Sequence, residues 1–141
     1  MAKIDDIAAH LSAVPLFSQL SAKERRVVAK ALGVHEVAAD VMLVRQGEAG
    51  DTFYVLIDGT ATVLRNGSRT ATLGAGDWFG ELAVLDPAPR NADVVTTSAA
   101  TVGVLDAKIF KRLVGELPAM TARLLSGLAR RVRDGDRRVV E

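Results

Sequence analysis

The chain of 141 residues has the size of one domain, and its composition, 49% apolar and 25% charged, predicts a globular protein with a core. A formal net charge of only +1 gives the whole molecule no strong attraction for nucleic acid or an anionic membrane. There is no cysteine, which excludes disulfides, a catalytic thiolate and a cysteine zinc site. Without a secretion signal or a run long enough to span a bilayer, we expect a single cytoplasmic domain over residues 1–141 with no membrane segment.

Residues 1–33 predict N-terminal helices. Apolar side chains recur there at helical spacing, at Ile4, Ile7, Ala8 and Leu11. Ser21 and Glu24 have the spacing of a capping box, which predicts a second helix through Leu32 that ends at Gly33.

Residues 34–106 change to short β-like runs separated by turn residues. The runs occupy 41–44, 52–57, 60–64, 70–73, 92–97 and 101–105. Asn66-Gly67 between two of them is a strong hairpin signal. With about eight strands and no crossover helices, the pattern predicts a mainly β fold with flanking helices, an eight-stranded antiparallel β jelly-roll barrel.

Residues 107–141 return to helical spacing, which predicts C-terminal helices that include one from about Leu117 to Arg133. The last part, 123–141, has six arginines against three acidic residues. Such a run is usually a solvated helix end, and a nucleic-acid or partner surface is the alternative.

The segment 76–92 lies within the β region but does not alternate, and it predicts a short helix between strands. A helix that begins at Gly80 would offer unpaired N–H groups to a phosphate. Arg90 could hold two phosphate oxygens with its planar guanidinium, and Glu81 is an acceptor suited to a sugar hydroxyl. Each residue alone has an ordinary structural explanation, whereas their order and spacing predict a sugar-phosphate pocket.

Residues 79–92, FGELAVLDPAPRNA, resemble the phosphate-binding cassette of the cyclic-nucleotide-binding domain family, of the cyclic-AMP receptor, kinase regulatory subunit and bacterial channel types. The resemblance implies that Arg90 binds the exocyclic phosphate, that Glu81 binds the ribose 2′-hydroxyl and that Val63 contacts the base. It also implies a cradle of backbone N–H groups around Gly80, Leu82, Ala83, Asn91 and Ala92.

The resemblance implies a sensor that binds cyclic AMP (cAMP), needs no cofactor and switches its C-terminal helices. In the family a Ser or Thr directly after the arginine can favour guanine; Asn91 stands there, so cyclic GMP (cGMP) is disfavoured but not excluded. The helix after Leu117 would close over the base as a lid. The candidate contacts are Leu124, Leu128, Arg131 and Val132, although packing on the β core or on a second copy explains these residues equally well.

Enzymatic activity is not expected, because the only histidines, His10 and His35, fall on different elements and no catalytic or metal-binding constellation is evident. Two other functions remain open. The chain could be a protein-interaction module that does not use a nucleotide, or part of a truncated DNA-binding regulator, although DNA binding by this chain alone is not expected. The C-terminal helices are the expected surface for a homodimer or an effector protein.

Overall fold

The fold was obtained as a computed structural model, which describes residues 4–133. The helices are α1 (Ile4–Leu11), α2 (Ala22–Ala31), α3 (Glu81–Leu85), α4 (Ala107–Glu116) and α5 (Pro118–Arg133), with a 3₁₀ turn at Pro15–Phe17. The strands are β1 (Gly33–Val37), β2 (Met42–Val44), β3 (Thr52–Asp58), β4 (Ala61–Arg65), β5 (Ser68–Leu73), β6 (Trp78–Phe79), β7 (Asp93–Thr96) and β8 (Ala100–Asp106). The predicted helices, including the one near 117–133, are therefore present as far as Arg133. The predicted C-terminal region 134–141 lies outside the described residues.

The strands form two antiparallel four-stranded sheets, in the orders β1-β8-β3-β6 and β2-β7-β4-β5. Strands distant in sequence are neighbours in both sheets; β3 and β8, for example, pair from Thr52 with Asp106 to Asp58 with Thr101. This arrangement confirms the predicted jelly roll of eight strands with flanking helices. The two sheets remain separate and do not close into one continuous barrel.

The turn between β4 and β5 has the predicted hairpin geometry. Asn66 and Gly67 have φ values of 53° and 81°, the left-handed conformation that the central residues of a type I′ turn require. Asn and Gly adopt this conformation at little cost, so the two residues fix where the hairpin reverses.

Alternating side chains of β3 supply two separate parts of the core. Phe53 and Val55 pack with the N- and C-terminal helices, and the Phe53 ring stacks on Phe110 of α4 at 4.4 Å between centroids. Leu56 and Tyr54 instead belong to the cluster between the two sheets. One strand thus holds the helices on one face and the second sheet on the other.

The predicted capping box is present at the start of α2. The Ser21 side chain accepts from the Glu24 N–H at 3.1 Å, and the Glu24 carboxylate accepts from the Ser21 N–H at 2.9 Å. At the other end the C-cap is Leu32, and Gly33 already begins β1. Strand β1 lies where the β region was predicted to begin, at residue 34, whereas the two-residue β6 was not predicted because it is too short to show alternation. No helix within residues 4–133 is long and apolar enough to cross a membrane.

Candidate functional site

The short helix α3 begins beside β3 because of Gly80. This residue has φ 86°, and a Cβ placed on it would lie 2.7 Å from the Thr52 carbonyl oxygen and 2.9 Å from an Arg90 nitrogen. Only glycine combines this backbone conformation with so close an approach. The helix predicted within 76–92 is thus present, at Glu81–Leu85, with Gly80 as its N-cap.

Backbone hydrogen bonds hold the position of Arg90 against the loop between β2 and β3. The Arg90 N–H donates to the Glu48 carbonyl at 2.9 Å, and the Gly47 N–H donates to the Arg90 carbonyl at 2.8 Å. An isolated β-bridge joins Ala49 to Pro89 next to these bonds. The segment after α3 is therefore fixed to a loop that lies more than 35 residues earlier in the sequence.

The Arg90 side chain is 5% exposed, and its recorded hydrogen-bond partners are carbonyl groups. Nη2 donates to the Thr52 carbonyl at 2.9 Å, and Nη1 donates to the Gly80 carbonyl at 3.4 Å. Burial lowers the pKa of Arg90, an effect opposed by nearby Tyr54 and Asp51. Among residues 4–133 no ion pair joins Arg90 to a carboxylate.

Arg90 is one of the residues that line a pocket of about 160 Å³. The pocket is lined by Leu43, Val44, Arg45, Glu48, Ala49, Gly50, Asp51, Thr52, Tyr54 and Arg90. The Tyr54 ring stacks on Phe79 at 4.9 Å between centroids, and its hydroxyl donates to the Leu43 carbonyl. Because pockets for whole organic ligands usually exceed about 300 Å³, this one matches a phosphate-sized group, and a larger ligand would extend beyond it.

Gly50 leaves the space that the Arg90 side chain occupies. A Cβ on Gly50 would overlap the Nε and Cζ atoms of Arg90. Unlike Gly80, Gly50 is not among the residues with positive φ, so its role is to provide room and not an unusual backbone conformation. The absence of a side chain at position 50 thus sets where the arginine lies.

Glu81 lies on the first turn of α3, yet its side chain is fully buried and does not line the Arg90 pocket. Its Oε1 is 3.5 Å from Nη1 of Arg131 on α5. Burial raises the pKa of Glu81 to about 7, against the opposing effect of the Arg131 charge. The carboxyl group is therefore held in a position where its ionised form is costly.

Arg131 connects α5 to the segment that leads into α3. It is 6% exposed, its Nη2 donates to the Trp78 carbonyl at 3.1 Å, and its Cζ lies 3.9 Å from the centroid of the Trp78 ring. Gly127, one helical turn earlier, allows α5 to approach this ring, since a Cβ there would lie 2.6 Å from Cζ2 of Trp78. Helix α5 thus contacts β6 and α3 through one buried arginine and one glycine.

Apart from Arg90, none of the site residues named from the sequence lines the Arg90 pocket; they lie on α3 and its N-cap, on β4 and just before β7. Ala83 is buried, and Leu82 and Asn91 are partly exposed. The side chains of Val63 and Ala92 are fully buried in the cluster between the sheets. Of the proposed lid residues, Leu124 is buried in the core, Leu128 is partly buried, Arg131 contacts Glu81, and Val132 is exposed. None of the four lines the Arg90 pocket.

The sequence reasoning missed two parts of the site, the loop between β2 and β3 and the start of β3. Asp51, Thr52 and Tyr54 line the pocket although they are far from the cassette in sequence. The only sequence signal was the pair Gly47 and Gly50, which marks a loop that a side chain or ligand can approach closely. Among residues 4–133 there is no group of three or more His, Cys, Asp or Glu residues that could hold a metal ion.

Comparison with known protein families gives the family of the chain. Residues 34–116 match the sequence model described as "Cyclic nucleotide-binding domain". The chain belongs to this family. The match includes the eight strands except for Gly33, the first residue of β1, and it includes α3 and Arg90, so the predicted resemblance is confirmed over the β-roll and α4.

Several regulatory subunits of protein kinases are similar to this chain, in sequence or in structure, over most of its length. A "cAMP-dependent protein kinase regulatory subunit" of Hypocrea atroviridis is 35% identical over 113 residues, which are 80% of this chain and 24% of that protein. A cAMP-bound structure of PfPKA-R has a TM-score of 0.79 at 32% identity, over 94% of this chain and 47% of that one. The "Regulatory subunit of a cAMP-independent protein kinase A" from Trypanosoma brucei has a TM-score of 0.75 at 26% identity, over 86% of this chain and 46% of that one. The chain spans about a quarter of the length of the curated relatives it matches.

Proposed function

We propose that this domain is a cyclic-nucleotide sensor that binds cAMP, with Arg90 holding the exocyclic phosphate. The observation that carries the proposal is a buried guanidinium at a phosphate-sized pocket, with only neutral carbonyl partners among the described residues. Two of its five N–H donors are used by Thr52 and Gly80, so the others remain for an anion. A phosphate would both accept these bonds and neutralise the buried charge.

The preference for cAMP over cGMP rests on two observations. The similar PfPKA-R structure contains cAMP, and Asn91 stands where family members that favour guanine can have Ser or Thr. The similarity to a cAMP-independent regulatory subunit means that the fold is also compatible with another ligand or none. A nucleotide-independent interaction module is therefore the second candidate, and ligand binding has to be measured directly.

For the rest of the cassette we propose the roles that the family resemblance implies. Residues 79–92 would surround the nucleotide, with Glu81 at the ribose 2′-hydroxyl and backbone N–H groups near the phosphate, at Gly80, Leu82, Ala83, Asn91 and Ala92. Val63 would contact the base, for which its buried side chain between the sheets would have to become accessible.

The contact between Glu81 and Arg131 supports a switching mechanism. If the ribose hydroxyl donates to Glu81, the carboxylate exchanges part of its contact with Arg131 for a contact with the ligand. Arg131 belongs to α5, so a ligand that changes the Glu81 contact favours a different position of that helix. The C-terminal helices would then communicate binding to a homodimer partner or an effector protein.

We further propose that residues 1–141 act as one cytoplasmic regulatory domain without catalytic activity. The relatives named above are regulatory subunits of kinases, and the described residues contain no helix that could cross a membrane.

Calorimetric titration of cAMP and cGMP into the wild type and Arg90→Ala tests the proposal. We expect cAMP to bind the wild type more tightly than cGMP. Arg90→Ala should lose about 1.5–3 kcal/mol, or roughly 10–150-fold in affinity, because a charge-assisted hydrogen bond disappears. Arg112→Ala removes an exposed arginine of α4 and is the matched control. The proposed function would be contradicted if wild type and Arg90→Ala bound cAMP with equal affinity, or if the wild type did not bind cAMP.

A further inference from the structure

Helices α4 and α5 are strongly basic although the chain as a whole is nearly neutral. Residues 107–133 contain seven lysines and arginines and one acidic residue, Glu116, whereas the full chain has a net charge of +1. Only Arg131 among these basic residues is buried against a carboxylate. The potential over the C-terminal helices therefore favours a negatively charged partner.

An apolar stripe runs along the exposed side of α5. Its members recur at i, i+3, i+7 and i+10 and are exposed, at Ala122, Leu125, Ala129 and Val132. Leu125 is 61% and Val132 is 77% exposed, whereas Met120 and Leu124 on another face of the helix are buried in the core. The spacing is that of a helix surface that packs against another helix.

The exposed arginines of α5 lie beside this stripe, at Arg123, Arg130 and Arg133. Arg123 and Arg130, with Ser126, also line a pocket of about 200 Å³ between α5 and the 3₁₀ turn at Pro15–Phe17. Arg123 also connects the two sides of this pocket, because its Nε donates to the Pro15 carbonyl at 3.3 Å. One acidic residue, Asp77, lines the pocket as well, and its Oδ2 accepts the Gly74 N–H. The pocket is large enough for a carboxylate side chain.

We propose that α5 binds an acidic amphipathic helix of a partner protein. Apolar side chains of the partner pack on Leu125 and Val132, and its carboxylates lie against Arg130, Arg133 and the pocket lined by Arg123. A second copy of α5 fits this surface less well, since two sets of arginines would repel. Nucleic acid would leave the apolar stripe uncovered, and the two large apolar side chains are too few to hold the helix on a membrane.

The test uses a labelled synthetic helical peptide of about 20 residues, with Leu on one face and Glu at the flanking positions, and a control peptide with Lys in place of Glu. Fluorescence anisotropy with the full chain should show binding of the Glu peptide at least about 10-fold tighter than binding of the Lys peptide. The affinity should fall between about 0.05 and 0.3 M salt, as expected for exposed charges.

Variants of α5 separate the two parts of the surface. Leu125→Asp should weaken binding of the Glu peptide at least about 10-fold, whereas Val27→Asp, which changes an exposed apolar residue of α2, should leave it unchanged. The double variant Arg130→Glu with Arg133→Glu should reverse the preference and favour the Lys peptide. Thermal unfolding of each variant checks that the fold is intact.

Several results would overturn the proposal. One is that the two peptides bind with equal affinity or do not bind. Another is that Leu125→Asp binds the Glu peptide as tightly as the wild type does. A third is that the wild type sediments as a dimer and Leu125→Asp sediments as a monomer. The proposal would also be overturned if the wild type bound duplex DNA or anionic phospholipid vesicles but not the Glu peptide, and if the double variant Arg130→Glu with Arg133→Glu lost that binding. The proposal does not depend on the nucleotide. Arg90→Ala should bind the Glu peptide normally, so failure here and failure of cAMP binding are distinguishable.

Discussion

Arg90 and Arg131 are two buried arginines that contact the same short segment, residues 78–81, yet their partners differ in kind. Arg90 donates to two neutral carbonyl groups and faces a pocket. Arg131 is next to the buried Glu81 carboxyl and lies over the Trp78 ring. The proposed ligand would compensate the charge of Arg90, whereas the fold itself places a carboxyl group beside Arg131.

The difference shows how a buried cation indicates a function. The Glu81–Arg131 pair, together with the contact of Arg131 with the Trp78 ring, joins α5 to α3 and β6 within the fold. A buried guanidinium whose recorded partners are carbonyl groups costs folding free energy that an anion would recover. The next four predictions test whether this division between a structural and a ligand-binding arginine is correct.

The largest expected effect is a change in the free energy of unfolding when Arg131 and Arg90 are replaced one at a time. Arg131→Ala should lower the free energy of unfolding by about 3 kcal/mol, because it leaves the Glu81 carboxyl buried without its partner. Arg90→Ala should change it by less than about 1 kcal/mol, since two bonds to carbonyl groups are lost while a buried charge is removed. Denaturant unfolding without nucleotide measures both values. Equal losses of unfolding free energy in the two variants would show that the two arginines do not differ in their structural role.

The pH dependence of stability tests the environment of Glu81. Its pKa in the folded protein is raised to about 7 from an ordinary 4.5, so the folded state binds this proton more tightly than the unfolded state does. Stability should therefore fall as the pH rises from about 4.5 to about 7. Relative to Glu81→Gln, the wild type should lose about 3 kcal/mol over this range. Parallel pH profiles of the two proteins would show that Glu81 is not held in a costly position.

The contact of α5 with Trp78 can be broken from the helix side. In Gly127→Ala the new Cβ would lie 2.6 Å from the ring, so the helix or the ring must move, with an expected loss of about 1–3 kcal/mol. Gly115→Ala in α4 is the matched control, because a Cβ there meets nothing within 4 Å. That control should stabilise the protein slightly. Thermal unfolding of both variants measures the two effects. Similar Tm values would mean that α5 is not closely packed against Trp78.

The smallest effect is expected at Gly50, and it concerns binding rather than stability. In Gly50→Ala the Cβ would displace the flexible Arg90 side chain, and cAMP affinity should fall by roughly 10-fold, or about 1.4 kcal/mol, with little change in Tm. Gly74→Ala adds a Cβ with nothing within 4 Å and should leave the affinity unchanged. A cAMP affinity of Gly50→Ala equal to that of wild type would mean that the position of Arg90 does not matter for binding.

Local patterns in the sequence were sufficient for much of the fold. The capping box at Ser21, the turn at Asn66-Gly67 and the short helix after Gly80 all depend on residues within four positions of one another, and all are present. The spacing from Gly80 to Arg90 was enough to predict the family, which residues 34–116 confirm. The brief strand β6 was missed because pairing with β3, and not its own sequence, defines it.

Only the tertiary structure decided how the site is divided. By sequence, Glu81 and Arg90 formed one sugar-phosphate pair, and Arg131 was one of several lid candidates. The fold instead packs α5 against β6, which places Arg131 beside Glu81, and it brings the loop between β2 and β3 to Arg90. The partner of a buried charge is fixed by such long-range contacts, 38 residues apart for Thr52 and Arg90 and 53 for Trp78 and Arg131, and local sequence patterns do not record them.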